Sequence, residues 1–533
     1  MIFGRVFRPR AGATSWLNGF AYRPHNLQAH SGTEDAEARI LTQRMKEAKS
    51  AKQFLSILEE ALDGAVFNDF HASVAYHSLA TLKRKGELRA SDRRNPVLGK
   101  LNDRFKDLLA KGNMPPRFWA NVLRSVAHLS NALPNVLDTI PALIAQIPLM
   151  AKDMNSRNLS NSLWAAATLR EVAPDLLKMV PALVAEISAT RESMNAQDVS
   201  NNFWAAATLK EAAPDVLNMV HALVAQILLT AKNMNAQDVS NNLWAAATLK
   251  EAAPHVLKAV PALVAQLPLV AMDMSAQNLS NSLWAGATLK EAAPDVLLTV
   301  PALVAQVPVI AKNMNAQNVS NCLWAAATLK DEAPEVLKLV PATVVQAPAI
   351  AKSMNAQTVS NSLWAAATLK EAAPDVLKVV PTLVAQTPVV VKEMNAQAVS
   401  NSLWATTALK ESVPDVLDMV CPLVAQAPVI AKNMNAQNVS NSLWAGATLK
   451  DVAPAVLKLV PVLSAQVPVT APNMNAQNVS NSLWAAATLS EAGLDLQEMV
   501  PALLAQIGVV AKSMKPQELT NSLWATATLK IRR

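Results

Sequence analysis

Asn318-Val319-Ser320-Asn321-Cys322-Leu323-Trp324-Ala325-Ala326-Ala327-Thr328-Leu329-Lys330 recurs, with few changes, every forty residues along the chain. Its tryptophan keeps the register: Trp164, Trp204, Trp244, Trp284, Trp324, Trp364, Trp404, Trp444, Trp484 and Trp524. A fixed period of about 20–50 residues is the mark of stacked supersecondary units, which bury their apolar faces only against their neighbours. The chain is therefore expected to be all-α. The spacing predicts an α-solenoid of about ten to twelve two-helix repeats with a 40-residue period.

Within one repeat, Asn315 is a natural N-cap, and the helix it opens runs to Lys330. At 100° per residue, Ala316, Val319, Leu323 and Ala326 share one face. Gln317, Asn318, Asn321, Ala325 and Thr328 share the other, with Trp324 at its margin. Small apolar residues let neighbouring helices approach closely, and tryptophan supplies the bulk. Pro334 then opens a second stretch, Glu335 to Lys352, that is apolar almost all round and needs cover from adjacent repeats. Pro341 and Pro348 continue a seven-residue spacing, which keeps the three prolines on one face. Each internal proline removes a helical hydrogen bond, so this stretch should be kinked or broken, with its proline side away from the densest packing.

The array begins before the first periodic tryptophan. Trp119 to Arg124 matches Leu159 to Trp164, with Arg124 in the tryptophan slot, and Tyr76 to Leu82 is a more degenerate copy. Three regions follow from this: an amino-terminal segment over 1–34, a basic helical region with a degenerate repeat over 35–113, and the tandem array over 114–533. The last repeat stops after its first helix, so a truncated carboxyl end is expected. No acidic residue precedes Glu34, whereas Arg5, Arg8, Arg10 and Arg23 are interspersed with apolar residues. That is the character of an organellar transit peptide, mitochondrial ahead of plastid because Arg outweighs Ser.

Charge is unevenly placed. Residues 1–124 hold 21 Lys and Arg against 12 Asp and Glu, whereas the rest holds 26 against 28. The array is thus not a basic surface of the kind that attracts phosphate. Cys322 and Cys421 are isolated, which excludes a disulfide framework. Apolar runs are interrupted by Pro and Gln before reaching membrane length, so membrane insertion is not expected. The histidines are scattered, and neither a metal-ligand spacing nor a Gly-rich phosphate loop occurs. The expectation is a non-enzymatic protein with no cofactor and no small-molecule substrate.

Leu159-Ser160-Asn161-Ser162-Leu163-Trp164-Ala165-Ala166-Ala167-Thr168-Leu169 resembles the first helix of octotricopeptide-type repeats and of the related FAST-kinase-like and RAP-domain proteins. Met314 to Val319 and Met514 to Asn521 resemble the lead-in to that helix. The resemblance covers roughly residues 40–533, without a RAP-like domain. It implies binding of single-stranded organellar RNA and a role in transcript stability, processing or translation.

A modular RNA reader sets one base against a few side chains per repeat. One slot on the polar face varies: Asn158, Asp198, Asp238, Asn278, Asn318, Thr358, Ala398, Asn438, Asn478 and Glu518. A second, three residues later, is constant: Asn161, Asn201, Asn241, Asn281, Asn321, Asn361, Asn401, Asn441, Asn481 and Asn521. A variable polar slot beside a constant one is what a base code needs; the competing explanation is a first-turn capping position. The tryptophans are expected in the core. Phosphate contacts would fall to Lys83, Arg84, Lys85, Arg89, Arg93 and Arg94, with Lys330-type residues in support. The alternative is a protein-interaction scaffold whose repeated surface grips a partner segment, with no nucleic-acid role.

Overall fold

The computed structural model describes residues 32–529, apart from 113, 491–493, 495 and 497. The targeting segment expected over 1–34 lies almost wholly outside them. Among the described residues the chain is a run of α-helices joined by 3-10 turns, without a strand. It divides into two compact units, Met1–Leu269 and Val270–Arg533.

The first unit opens with α1 (Gly32–Glu47), α2 (Ala51–Ala61), α3 (Asp69–Arg84) and α4 (Val97–Ala110). Phe54, Leu58, Phe67, Tyr76 and Phe105 are buried there. The Tyr76 hydroxyl donates to Asn102 Oδ1 at 2.7 Å, which ties α3 to α4. Helix α3 holds the Tyr76–Leu82 motif; Pro116–Leu129 stacks on it, then Ser156–Leu169, Ala196–Leu209 and Ala236–Leu249. The second unit stacks seven such helices among its described residues, from Ala276–Leu289 to Pro516–Thr528. Each successive first-layer helix in a unit packs against the one before, and the second layer covers one side. The fold is an α-solenoid of two-helix repeats.

A 14-residue helix such as Ala316–Leu329 is only marginally stable alone, so its ends and its packing decide its fate. Asn315, in extended backbone, accepts from the Asn318 amide at 3.0 Å, and Asn318 Oδ1 accepts from the Asn315 amide at 3.1 Å. This reciprocal capping box satisfies two amide donors that the first turn would leave unpaired. The buried run Ala325-Ala326-Ala327 then allows close approach to the next helix.

The three prolines of a repeat divide the labour. Pro334 opens a 3-10 turn, Pro341 sits in the first turn of an α-helix, and Pro348 falls at the start of a further short helix. In this repeat the second stretch is broken into Val340–Val344 and Ala347–Ile350. Pro454–Ser464 and Val467–Asn473 are likewise separated, by a bend of 57°. Elsewhere the helix continues through its internal proline, as in Val300–Ile310 with Pro308. The proline positions 341 and 348 face solvent, where a missing amide donor costs least.

One expectation needs amendment. Five second-layer segments, Pro214–Asn233, Pro254–Asp273, Pro294–Asn313, Pro374–Glu393 and Pro414–Asn433, are long and apolar enough to cross a membrane by length and composition. Interruption by Pro and Gln does not bring them below that threshold. Between 39% and 50% of the most apolar stretch of each is buried inside the array.

Candidate functional site

Three bonds that recur at several repeat junctions place the candidate residues. Asn318 Nδ2 donates to Ser280 Oγ of the preceding repeat at 3.0 Å, and Asn438 Nδ2 to Ser400 Oγ at 3.1 Å. In the first unit the slot is reached from a different position: Ser156 Oγ, at the first residue of its helix, donates to Asp198 Oδ2 at 3.3 Å. Second, a lysine ammonium donates to a carbonyl near the end of the next first-layer helix: Lys210 to Thr248, Lys290 to Thr328 and Lys370 to Ala408, at 2.8–3.0 Å. There the cation meets both unpaired carbonyls and the negative end of the helix dipole. Third, Gln266 and Gln426 in the second layer donate to the Met234 and Met394 carbonyls.

The first of these joints uses the variable slot. Asn158, Asp198, Asp238, Asn318, Thr358, Ala398, Asn438 and Asn478 are all buried, while Asn278 and Glu518 are half-buried. The slot is the third helical position, facing the neighbouring repeat rather than the open polar face on which the wheel had set Asn318. A 100° wheel carries no information about which neighbour covers the first turn. Burial raises the carboxyl of Asp198 above its usual range and pushes that of Asp238 up to about 6.

The constant asparagine lies elsewhere. Gln317, Asn321, Trp324 and Thr328 follow one another at +4, +3 and +4, forming one line along the helix surface. Gln317 Nε2 donates to Asn321 Oδ1 at 2.8 Å, and the Thr328 hydroxyl to the Trp324 carbonyl at 2.8 Å. Asn161, Asn241, Asn281 and Asn321 are buried at its edge; Asn201, Asn361, Asn401, Asn441, Asn481 and Asn521 are half-buried. The tryptophans follow suit. Trp164, Trp204 and Trp284 are buried as expected, but Trp244, Trp324, Trp364, Trp404, Trp444 and Trp484 are half-buried, and Trp524 is 45% exposed. Three pairs of adjacent indoles lie at similar distances: 6.2 Å from Trp284 to Trp324, 6.5 Å from Trp324 to Trp364, and 6.3 Å from Trp164 to Trp204.

At the start of this line in the first unit the indole is replaced. Arg124 lies over the Trp164 ring at 5.6 Å and donates from Nη1 to Asn161 Oδ1 at 2.5 Å. His128 stacks on the same indole at 5.0 Å. Burial first, then Arg124 and Lys83, brings the His128 imidazole down to about 3, so it is neutral; burial draws the Arg124 guanidinium down to about 10.

The basic candidates separate into two groups. Lys83 donates to the His128 carbonyl and to Asn131, repeating the lysine joint in the degenerate unit. Arg84, Lys85, Arg89, Arg93 and Arg94 are exposed around the α3–α4 connection. Lys210, Lys290 and Lys370 donate into the neighbouring repeat and Lys330 to Asp331 of its own, and the residues that follow these lysines are more exposed than they are. Glu211, Glu251, Glu291, Asp331, Glu371 and Glu411 are 80–89% exposed beside lysines that are only 20–27% exposed. Sequence reading passed over this acidic row because each carboxylate follows a lysine and the pair looks neutral.

A second repeated surface also escaped it. Leu149, Leu229 and Leu269 in the first unit, and Val309, Val389, Val429, Val469 and Val509, are 67–76% exposed on the second layer. Their forty-residue spacing was visible, but their burial was assumed.

No family model and no curated protein matches the chain. The octotricopeptide-type resemblance therefore rests on the motif text of the first helices. Among solved structures, the chain is similar to one from a homology model of the full-length AP-3 complex in an intermediate open conformation. Identity is 12%, coverage 93% of this chain and 90% of that one, and the TM-score 0.24. It is also similar to a chain from a structure in which Kap95p binding induces the switch loops of RanGDP to adopt the GTP-bound conformation. There identity is 12%, coverage 92% and 75%, and the TM-score 0.31.

Proposed function

We propose that the chain is a protein-interaction scaffold that holds a partner along the repeated Gln-Asn-Trp-Thr line of its first-layer helices. One observation carries this reading: the groups most exposed at the end of that line are carboxylates, 80–89% exposed, each beside a lysine that is only 20–27% exposed. A negatively edged row repels a phosphate backbone and suits a polypeptide. Photo-crosslinking tests it. A benzophenone amino acid placed at Gln357, which is half-buried on the line, should trap protein. Trapping of RNA alone overturns the reading.

Single-stranded RNA binding in an organelle is the second reading, favoured by the exposed Arg84, Lys85, Arg89, Arg93 and Arg94. In it the basic connection holds the phosphates and the constant asparagines meet the bases, in a mitochondrion reached through the acid-free amino-terminal segment. RNA affinity that falls steeply with salt and vanishes in an Arg89→Ala, Arg93→Ala, Arg94→Ala variant supports it. Affinity unchanged in that variant counts against it.

A further inference from the structure

In the second unit the outward side of the second layer is uncovered and apolar. On Val300–Ile310, the residues Pro301, Ala305, Pro308 and Val309 are exposed, and their spacing puts them on one side of the helix. The same four positions are exposed in each of the five repeats that follow, and none carries a charge. All are Pro, Ala, Val or Gly except Cys421. An apolar row that runs unbroken across several repeats is unlike the scattered apolar residues of an ordinary surface and marks a binding face.

Charge and composition choose the occupant. Three residues past Val309, in the 3-10 turn that ends the layer, stands exposed Lys312, and Lys352, Lys432 and Lys512 repeat it. At the end of the first-layer helices, Lys330 and Lys370 pair with the acid that follows each of them. The Lys312 row is followed instead by Asn313, Ser353, Asn433 and Ser513, and among the described residues these four lysines enter no ion pair. Lys392 precedes Glu393, and Pro472 is the one interruption. The other end of the face is mixed, with Lys338, Lys378 and Lys458 against Asp418 and Glu498, so attraction of an anionic surface falls to the Lys312 edge.

Protein interfaces are enriched in aromatic, Met and Arg anchors, are depleted in Lys and Ala, and carry hydrogen bonds that fix their register. The exposed positions of this face hold no such anchor, no carboxamide and no hydroxyl. A fluid bilayer requires none of them. It accepts apolar side chains at the boundary between headgroups and acyl chains, and its anionic headgroups attract lysines placed beside them.

We infer that the outward face of the second layer, in the second unit, rests on an anionic lipid bilayer. Val309-type side chains enter the headgroup–acyl boundary, and the Lys312 row lies against the headgroups. This face belongs to the other layer from the Gln-Asn-Trp-Thr line and does not compete with it for a partner.

The test uses the full chain and vesicles of phosphatidylcholine, alone or with about 30% phosphatidylserine. A polarity-sensitive dye on exposed Cys421, within the face, reports the contact, while Cys322 is buried and stays unlabelled. Cosedimentation with the mixed vesicles and a blue shift of the dye are expected, with weaker binding to phosphatidylcholine alone. Lys312→Gln, Lys352→Gln, Lys432→Gln should weaken binding to the mixed vesicles on the order of a hundredfold. Val389→Ser, Val429→Ser, Val469→Ser should weaken it about tenfold. All six positions are exposed, so both variants should melt as the parent does. Absence of cosedimentation, unchanged affinity in either variant, or a dye that stays in water while the protein sediments overturns the inference. A blue shift that grows with protein concentration in the absence of vesicles assigns the face to a second copy and overturns it too. The scaffold reading is tested separately, by the crosslinker at Gln357, and stands or falls on that result.

Discussion

Asn318 and Ser280, 38 residues apart in sequence, are joined by a 3.0 Å hydrogen bond from carboxamide to hydroxyl, and Asn318 Oδ1 still closes its own helix's capping box. One side chain thus both starts a helix and fastens it to the previous repeat. Where the slot lacks that chemistry, at Ala398, the Asn395 side chain accepts from the amide but nothing reaches back. Ser360 stands ready as the partner hydroxyl, donating to the Gln357 carbonyl at 3.2 Å with capacity left to accept. Ala398→Asn should therefore stabilise the protein by about 1 kcal/mol, and Asn318→Ala should cost a similar amount. Urea unfolding of the two variants checks this; a loss of stability in Ala398→Asn would show that the slot does not fasten the joint.

Asp238 fills the same slot as a buried acid whose carboxyl is pushed up to about 6, chiefly by desolvation. A raised folded value means that its favourable contribution is fully present below the usual value of 3.8 and is lost as pH rises through about 6. Asp238→Asn keeps the shape and removes the charge. At pH 7 it should stabilise the fold, on the order of 2–3 kcal/mol, with the advantage shrinking toward pH 4. Unfolding free energies across that window decide the matter. An advantage equal at both ends would rule out the ionisation as its cause.

Gly286 and Gly446 stand where other repeats carry a buried alanine, as at Ala166 and Ala326. A methyl group added at Gly286 meets nothing within 4 Å, and at Gly446 it meets only the Val456 carbonyl oxygen at 4.0 Å. The helix therefore bears glycine's entropic cost without a steric reason. Gly286→Ala and Gly446→Ala should each stabilise by about 0.5–1 kcal/mol, read as a rise in melting temperature.

The two thiols should differ sharply. Cys322 is fully buried in a first-layer helix, and desolvation pushes it up to about 12, whereas Cys421 is exposed. A thiolate-selective reagent at pH 8 should label one cysteine promptly in the native protein. The second should react only at the rate at which the surrounding helices open. Prompt labelling of both would contradict the packing around Cys322.

Period, helix positions, N-caps and proline placement were legible because each follows from local chemistry: Asn315 cannot cap anything but the helix that follows it, and Pro334 cannot continue the helix before it. What a neighbouring repeat does to a side chain was not legible. Asn318 read as a polar-face residue until Ser280 was placed beside it, and Lys290 read as a free cation until the next helix offered the Thr328 carbonyl. Trp324 read as core because its chain neighbours are apolar, yet its exposure is set by the spacing of helices across the stack. The acidic row and the exposed Val309-type row shared one source of error: position in the repeat was known, but which side of the layer it faced was not.

In the second unit each kind of joint keeps its own offset, 38 residues for the asparagine and lysine bonds and 32 for the glutamine bond, and this has a consequence for how such a chain changes length. Suppose residues 319–358 were excised. Asn318 would still reach Ser280, and Lys290 would meet the Thr368 carbonyl where it now meets that of Thr328. Every bond at the scar has a like-for-like replacement, because each repeat recognises only its neighbour. Loss or gain of one whole repeat would therefore alter the reach of the array in steps of forty residues while leaving each surviving junction intact.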